Sequence, residues 1–365
     1  MQEIKNIIAA YEQADLGKEK IALATVVNVE ESSYRRIGAR MLVRSNGQWV
    51  GGISGGCLEG DALKRSLHAI YQNVPSKVIY DTIEEDENQI GVGLGCNGKI
   101  EVVFTPIDAN DNENEILLLK HILDIVDPIV MLRVIESNKI SLLGKIAIAN
   151  PEIKNNFIGI DKNELAPIID KVKSAGRSYI EKLTVDSKIE VRVLFELIRP
   201  ETKLVILGDN YDVSAMVGLA NQLAWNICIL GDIKKLNKEV LVNVAKVIPY
   251  KDMDRIKIHD HTAVVLLSHD YVKDMNALQI FIKKKPRYLG MLGPKKRMLK
   301  MEESLGEFNF SKIPIFYSPV GLEIGAETPS EIALSILAEI IAVFRNKNGT
   351  HLRDKVGAIH QRDHV

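Results

Sequence analysis

Two cysteines in this sequence sit inside glycine-rich runs, and they are the residues best suited to do chemistry. The first is Cys57, in Gly51-Gly52-Ile53-Ser54-Gly55-Gly56-Cys57-Leu58-Glu59-Gly60-Asp61. Glycines let the backbone turn tightly and come close to a ligand. The cysteine falls near the start of a helical pattern over residues 58–71, where free N–H groups and the positive end of the helix dipole favour a thiolate. Together these features describe an anion-binding loop that holds a reactive thiol. The same stretch also reads as a glycine-rich hairpin around a small buried residue. The second cysteine, Cys96, lies in Gly91-Val92-Gly93-Leu94-Gly95-Cys96-Asn97-Gly98-Lys99, ahead of a strand-like run over residues 100–104. Two of the three cysteines are placed this way, which favours one shared site.

Other side chains can serve the same site. The polar loop between two strand-like runs, residues 21–29 and 38–44, carries Arg35, Arg36 and Arg40 beside Ser32 and Ser33. Guanidinium forks match phosphate oxygens, so this loop is a candidate for holding a phosphorylated ligand. Taken singly, each arginine also reads as part of a solvated basic turn. In the second half, a strand-like run over residues 262–268 ends in Ser268-His269-Asp270, and another over 287–292 ends in Gly293-Pro294-Lys295-Lys296-Arg297. The carboxyl ends of parallel strands face the ligand crevice, which makes His269 a candidate. A capping or core histidine is the alternative. Cys228 lies inside an apolar strand and reads as core.

Composition narrows the function classes. With 46% hydrophobic and 26% charged residues the chain is an ordinary soluble protein, long enough for two cores. A formal net charge of -1 leaves no basic excess for nucleic acid. No apolar run reaches about 18 residues, so no membrane span is expected. The first residues, MQEIKNIIAAYEQ, are acidic and amphipathic rather than a secretory signal, and three cysteines make no disulfide framework. Both features suit a reducing cytoplasm.

The elements that must position these residues divide into two groups. A helix over residues 4–15, strands over 21–29 and 38–44, and a helix over 116–125 come first. Strands over 128–135, 141–148 and 188–198 follow, with a mixed stretch at 152–188 that carries no motif. Beyond Arg199-Pro200-Glu201 the pattern changes. A buried-strand run, residues 203–207, leads through Gly208-Asp209-Asn210 into a helix and then a second strand ending at Gly231-Asp232. That is the order of a dinucleotide-binding βαβ unit. Its glycine fingerprint is degenerate, because Asn210 replaces the second glycine and Asp209 and Asp212 oppose a pyrophosphate. The sequence therefore predicts the fold while arguing against bound NAD(P). Thr328-Pro329-Ser330-Glu331 sets a helix cap for residues up to 344, a helix apolar on most of its faces that must be buried in the core or against a second copy. A homodimer is expected. The fold class is α/β, with an N-terminal mixed α/β domain carrying the cysteine loops (1–198), a C-terminal Rossmann-like parallel-sheet domain (199–345) and a polar tail (346–365).

These residues resemble the XdhC/CoxI family, the accessory proteins of xanthine and carbon monoxide dehydrogenases. The matching blocks are Gly38-Ala39-Arg40-Met41-Leu42-Val43, Ser54-Gly55-Gly56-Cys57-Leu58-Glu59 and Gly93-Leu94-Gly95-Cys96-Asn97-Gly98. In the second half they are Val265-Leu266-Leu267-Ser268-His269-Asp270, Leu289-Gly290-Met291-Leu292-Gly293 and Pro319-Val320-Gly321-Leu322-Glu323-Ile324-Gly325-Ala326, continuing through the helix that Thr328 opens. The resemblance implies a maturation factor that binds molybdenum cofactor transiently and protects it while its sulfido ligand is installed. Delivery to an apo-molybdenum hydroxylase would follow, with a cysteine desulfurase as a second partner. It places Cys57 and Cys96 as the working thiols, as molybdenum ligands or sulfur carriers. Taken with the residue readings above, the cofactor-binding candidates around them are Arg35, Arg36, Arg40, Ser54, Gly55, Gly56, Gly95, Asn97 and His269. A cofactor chaperone is favoured over a catalyst. An NAD(P)-dependent oxidoreductase and a persulfide-carrying sulfurtransferase remain the other readings.

Overall fold

The computed structural model describes residues 1–31, 36–81, 98–149, 156–306 and 309–356. The chain divides into two compact units, Met1–Arg199 and Pro200–Val365. Among the described residues no helix is long and apolar enough to cross a membrane.

The first unit is built mostly from antiparallel strands. Helix α1 (Gln2–Glu12) precedes β1 (Ile21–Glu31), β2 (Arg40–Arg44) and β3 (Trp49–Gly51). Then come α2 (Glu59–Gln72), β4 (Ser76–Asp81), β5 (Gly98–Ile107) and α3 (Glu115–His121). The first sheet has the order β3-β2-β1-β5-β4. Its central strand β1 is apolar almost continuously because both faces are covered. Ala24 and Val26 meet Leu58, Ala62 and Ala69 under α2, while Ile21 and Leu23 meet Ile7 and Ile8 of α1 and Ile116 and Leu119 of α3.

A second sheet follows from β6 (Ile129–Ser137), β7 (Ile146–Ala149), β10 (Tyr179–Val185) and β11 (Ile189–Ile198), in the order β10-β11-β6-β7. Between β7 and β10 lie the short pair β8 (Asn156–Phe157) and β9 (Ile160–Asp161), and helix α4 (Lys162–Ala175). Val27 and Val103 of the first sheet pack with Ile135 and Leu194 of the second. The strand expected over residues 141–148 is shorter than that. Residues Ile140–Leu142 form a 3-10 turn and Gly144, at φ +77°, breaks the extended run. The stretch at 152–188, read as mixed helix and polar loop, contains α4, capped by the Asp161 carboxylate on the Asn163 N–H (2.7 Å) and closed by left-handed Gly176. Both caps are ordinary signals. Pro167 inside the helix and its mostly polar surface obscure them.

The second unit is a doubly wound parallel sheet. Its elements are β12 (Lys203–Leu207), α5 (Tyr211–Gln222), β13 (Asn226–Leu230), α6 (Lys238–Val242), β14 (Lys246–Ile248) and β15 (Thr262–Leu266). They continue with α7 (Tyr271–Lys284), β16 (Tyr288–Met291), α8 (Lys295–Leu305), β17 (Phe316–Tyr317) and α9 (Pro329–Phe344). All neighbours are parallel in the order β14-β13-β12-β15-β16-β17, the Rossmann order with its switch point between β12 and β15. Leu204 and Ile206 face α5 and α9, and Val205 and Leu207 face α7 and α8. The capping box of α9 forms as its sequence predicts, with Glu331 Oε2 accepting the Thr328 N–H at 2.8 Å. One broad face of α9 is buried through Ala333, Ile336, Leu337 and Ile340, while Leu334 and Ile341 stay exposed at 53% and 37%.

Candidate functional site

Cys57 is exposed on a loop whose geometry is fixed from below. Gly51, at φ +85°, ends β3 so close to β2 that a Cβ would lie 2.2 Å from the Arg40 carbonyl oxygen. The Gly52 N–H donates to that same oxygen at 2.9 Å. Ile53 and Leu58 then anchor the loop in the core, leaving Gly55, Gly56 and Cys57 outside. Gly56, at φ +116°, has nothing within 4 Å of an added Cβ, so the space above it is open.

Two side chains brace the loop. The Ser54 hydroxyl donates to Glu59 Oε2 at 2.5 Å and accepts the N–H groups of Leu58 (3.0 Å) and Gly56 (3.2 Å). Glu59 Oε1 accepts the N–H groups of Ser54 (2.9 Å) and Ile53 (3.2 Å). Burial works against the Glu59 carboxylate, but the Ser54 hydroxyl and these backbone donors prevail and hold it below its ordinary value. The Cys57 thiol lies 3.5 Å from Ser54 Oγ. Four loop N–H groups are thus occupied by the chain's own oxygens, and Glu59 and Asp61 put negative charge in the first turn of α2. The N–H groups of Ile53, Ser54, Gly56 and Leu58 are therefore already committed and do not serve an anion. The loop presents a thiol, and Ser54 is a brace whose hydroxyl is already committed. Glu59, which residue type alone did not assign, is the second brace. It stands in the Ser54-to-Glu59 block, but its role shows only when the loop folds back on it.

The arginine group does not assemble as expected. Arg40 is 1% exposed, and its guanidinium belongs to the core of the first unit. It donates to Glu196 (2.7 and 3.0 Å), to Glu115 Oε1 (3.1 Å) and to the Gly38 carbonyl (2.6 Å). Burial opposes its charge, yet Glu196 and Glu115 raise it well above the ordinary value. Arg40 is therefore not a ligand to a phosphate at the surface. Arg36 is exposed. Arg35, Gly95, Cys96 and Asn97 lie outside the described residues. Among the described residues, no group of three His, Cys, Asp or Glu side chains could hold a metal ion. Cys228 is buried in β13, where burial pushes its thiol up.

His269 stands in the second unit, at the switch point. It adopts φ +57°, a conformation uncommon outside glycine. Its Nε2 lies 2.7 Å from Asp212 Oδ2, linking the loop after β15 to the start of α5. Asn210 makes a second link. Its Nδ2 donates to the Leu267 carbonyl and its Oδ1 caps α5 by accepting the Asp212 N–H at 3.1 Å. Asp209 accepts the Asp232 N–H at 3.0 Å. Arg297, from the basic run, pairs with the buried Asp274 at 2.7 Å, and only Lys295 and Lys296 of that run are exposed. A pyrophosphate on the α5 N-terminus would meet the Asn210 side chain and two carboxylates. Calorimetry is expected to find no micromolar affinity for NAD or NADP. Such an affinity would restore the oxidoreductase reading.

The first unit thus presents a braced, exposed thiol, and the second carries a Rossmann sheet whose Gly208 turn is tied down by Asn210. The match to known families agrees with that architecture. Residues 204–340 match the XdhC Rossmann domain and residues 16–81 match the XdhC and CoxI family, together more than half of the chain. The chain belongs to the XdhC and CoxI family. A relative from Bacillus subtilis (strain 168), described as a probable subunit of xanthine dehydrogenase, is 28% identical over 329 residues, covering 89% of this chain and 93% of its own. The molybdenum cofactor insertion chaperone PaoD of Escherichia coli (strain K12) is 23% identical, covering 88% of this chain and 82% of its own. A crystal structure described as a xanthine dehydrogenase from Bacillus halodurans superposes with a TM-score of 0.74 at 25% identity, over 95% of this chain and 97% of that one.

Proposed function

We propose that the protein is a maturation factor that carries molybdenum cofactor to a xanthine- or carbon-monoxide-dehydrogenase-type hydroxylase. The observation that carries this reading is Cys57, exposed on a loop braced by Ser54 and Glu59 with open space over Gly56. A thiolate is a soft donor suited to molybdenum and to its sulfur ligands, which fits the cofactor as cargo. The likeness to an insertion chaperone across most of the chain supports the same role. Cys57 and Cys96 serve as cargo ligands or sulfur relays, a cysteine desulfurase supplies the sulfur, and the apo-hydroxylase receives the loaded cofactor. The carrier works as a two-fold dimer, a state supported by Leu334 and Ile341, which stay exposed seven residues apart on α9.

The test is molybdenum and pterin analysis of the chain purified from a cofactor-producing host. Wild-type protein is expected to carry both, and Cys57→Ala to lose at least about tenfold of each with an unchanged melting temperature. Cys96→Ala should lose less. Light scattering on the same sample should give twice the chain mass, whereas a dilution-independent single-chain mass would remove the dimer. Wild-type protein free of molybdenum and pterin, but carrying a persulfide on Cys57 by mass spectrometry, would make the protein a sulfurtransferase instead.

A further inference from the structure

Arg40 does two things at once, through different parts of the residue. Its guanidinium is tied to β11 through Glu196 and to α3 through Glu115, both buried. Its carbonyl oxygen receives the Gly52 N–H, the last backbone bond before the Cys57 loop, and packs directly against Gly51. The same guanidinium also holds the Gly38 carbonyl, at the end of the loop that carries Arg36. Strand β3, which leads into the Cys57 loop, is only three residues long and pairs with β2 alone, at Val43–Trp49, Leu42–Val50 and Met41–Gly51. Beyond that pairing, Val50 packs against the core under α1 and Ile53 anchors the loop just after it leaves the strand.

We propose that Arg40 is the positioning residue of the Cys57 loop, transmitting the fixed geometry of the buried Glu115 and Glu196 carboxylates to the point where the loop leaves the sheet. Its importance for cargo rests on the reading of Cys57 given above, but the positioning itself does not. The loop is held at its entry by Arg40 and at its exit by the Ser54–Glu59 brace, and the thiol sits between the two. The Gly38-Ala39-Arg40 block thereby acquires a role that a phosphate-binding arginine would not explain. A lysine keeps the charge but cannot reproduce the fork that reaches Glu196 twice and Glu115 and Gly38 once each.

Peptide-resolved hydrogen exchange on full-length Arg40→Lys tests this. The N–H groups of Ile53, Ser54, Gly56 and Leu58 are hydrogen-bonded, so their exchange reports opening of the loop. Exchange over residues 51–58 is expected to accelerate at least about tenfold while β5 stays within about twofold of wild type. Uniform acceleration across the first unit, or none, overturns the proposal, since a merely structural arginine would loosen everything together. Should Arg40→Lys not fold, Glu196→Gln carries the same test, with about threefold local acceleration expected and a uniform or absent change again decisive against. Cofactor content separates this from the functional reading. If the loop responds but Cys57→Ala retains cofactor, only the carrier role fails. If Arg40→Lys loses cofactor without loop acceleration, only the positioning role fails.

Discussion

Glu115→Ala is expected to destabilise the first unit by about 3–5 kcal/mol, the cost of leaving a buried charge without its partner. Arg133 is fully buried, and its Nη2 donates to Glu115 Oε1. Its Nε and Nη1 are buried with no partner among the described residues, so alanine at 115 leaves the cation uncompensated. Arg40 would suffer less, because Glu196 still holds two of its nitrogens. The measurement is urea unfolding at neutral pH, followed through Trp49 in a Trp225→Phe background. Adding Arg133→Met to Glu115→Ala should recover much of the loss, with a coupling on the order of 2 kcal/mol in the double-mutant cycle. A loss below about 1 kcal/mol for Glu115→Ala would mean that the pair contributes no more than an exposed one.

Acidification should separate the two units. In the first, Glu115 is raised by burial but lowered more by Arg133 and Arg40. Glu101 is likewise raised by burial and lowered more by Asn28, Arg192 and Lys77, and Glu136 is lowered by Lys77 and Arg192. A carboxyl whose folded value lies below its unfolded one stabilises above the unfolded value, about 4.3 for Glu, and loses that contribution as pH falls through the folded value. In the second unit, burial raises Asp274 despite Ser268 and Arg297. Its sign is reversed. Its contribution is fully present below the unfolded Asp value of about 3.9 and is lost as pH rises through the folded one. Asp270 and Glu331, lowered by the N–H groups they cap, oppose Asp274 only weakly because they are exposed to solvent. Between pH 7 and about pH 3.5 the melting transition seen by Trp49 should therefore fall further than the one seen by Trp225. Transitions that move down in step would refute the assignment of opposite signs to the two units.

What the sequence disclosed follows from which interactions are local. The apolar runs of β12, β13 and β15, the degenerate turn at Gly208 and the cap at Thr328 are written in neighbouring residues, and the parallel-sheet fold follows from them. The glycine loop at Cys57 was legible too, because glycines and a helix start adjoin it, but the same residues also read as a hairpin around a buried cysteine, and its exposure shows only in the structure. Arg40 was not. It stands beside other arginines in sequence, while its partners Glu115 and Glu196 lie 75 and 156 residues further on. The one local signal was its place at the head of Met41-Leu42-Val43, a run buried on both faces, where a solvated cation has no room. Helix α4 was legible only as part of a mixed helix-and-loop stretch, for a different reason. Only Leu165 and Val172 of its residues are buried, so its apolar stripe is too narrow to show a helical period.

The distance from Arg40 to Glu196 also sets an order of events at the ribosome. At about 5–20 residues per second, synthesis reaches Glu196 roughly 8–30 s after Arg40 is made. Until then the guanidinium has no second carboxylate to enter the core with, and desolvating it is costly. A nascent chain that stops before β11 therefore keeps Arg40 in water and leaves its β1–β2 hairpin accessible to chaperones. The buried network of the first unit can close only once β11 is available to it, whatever local structure has formed before.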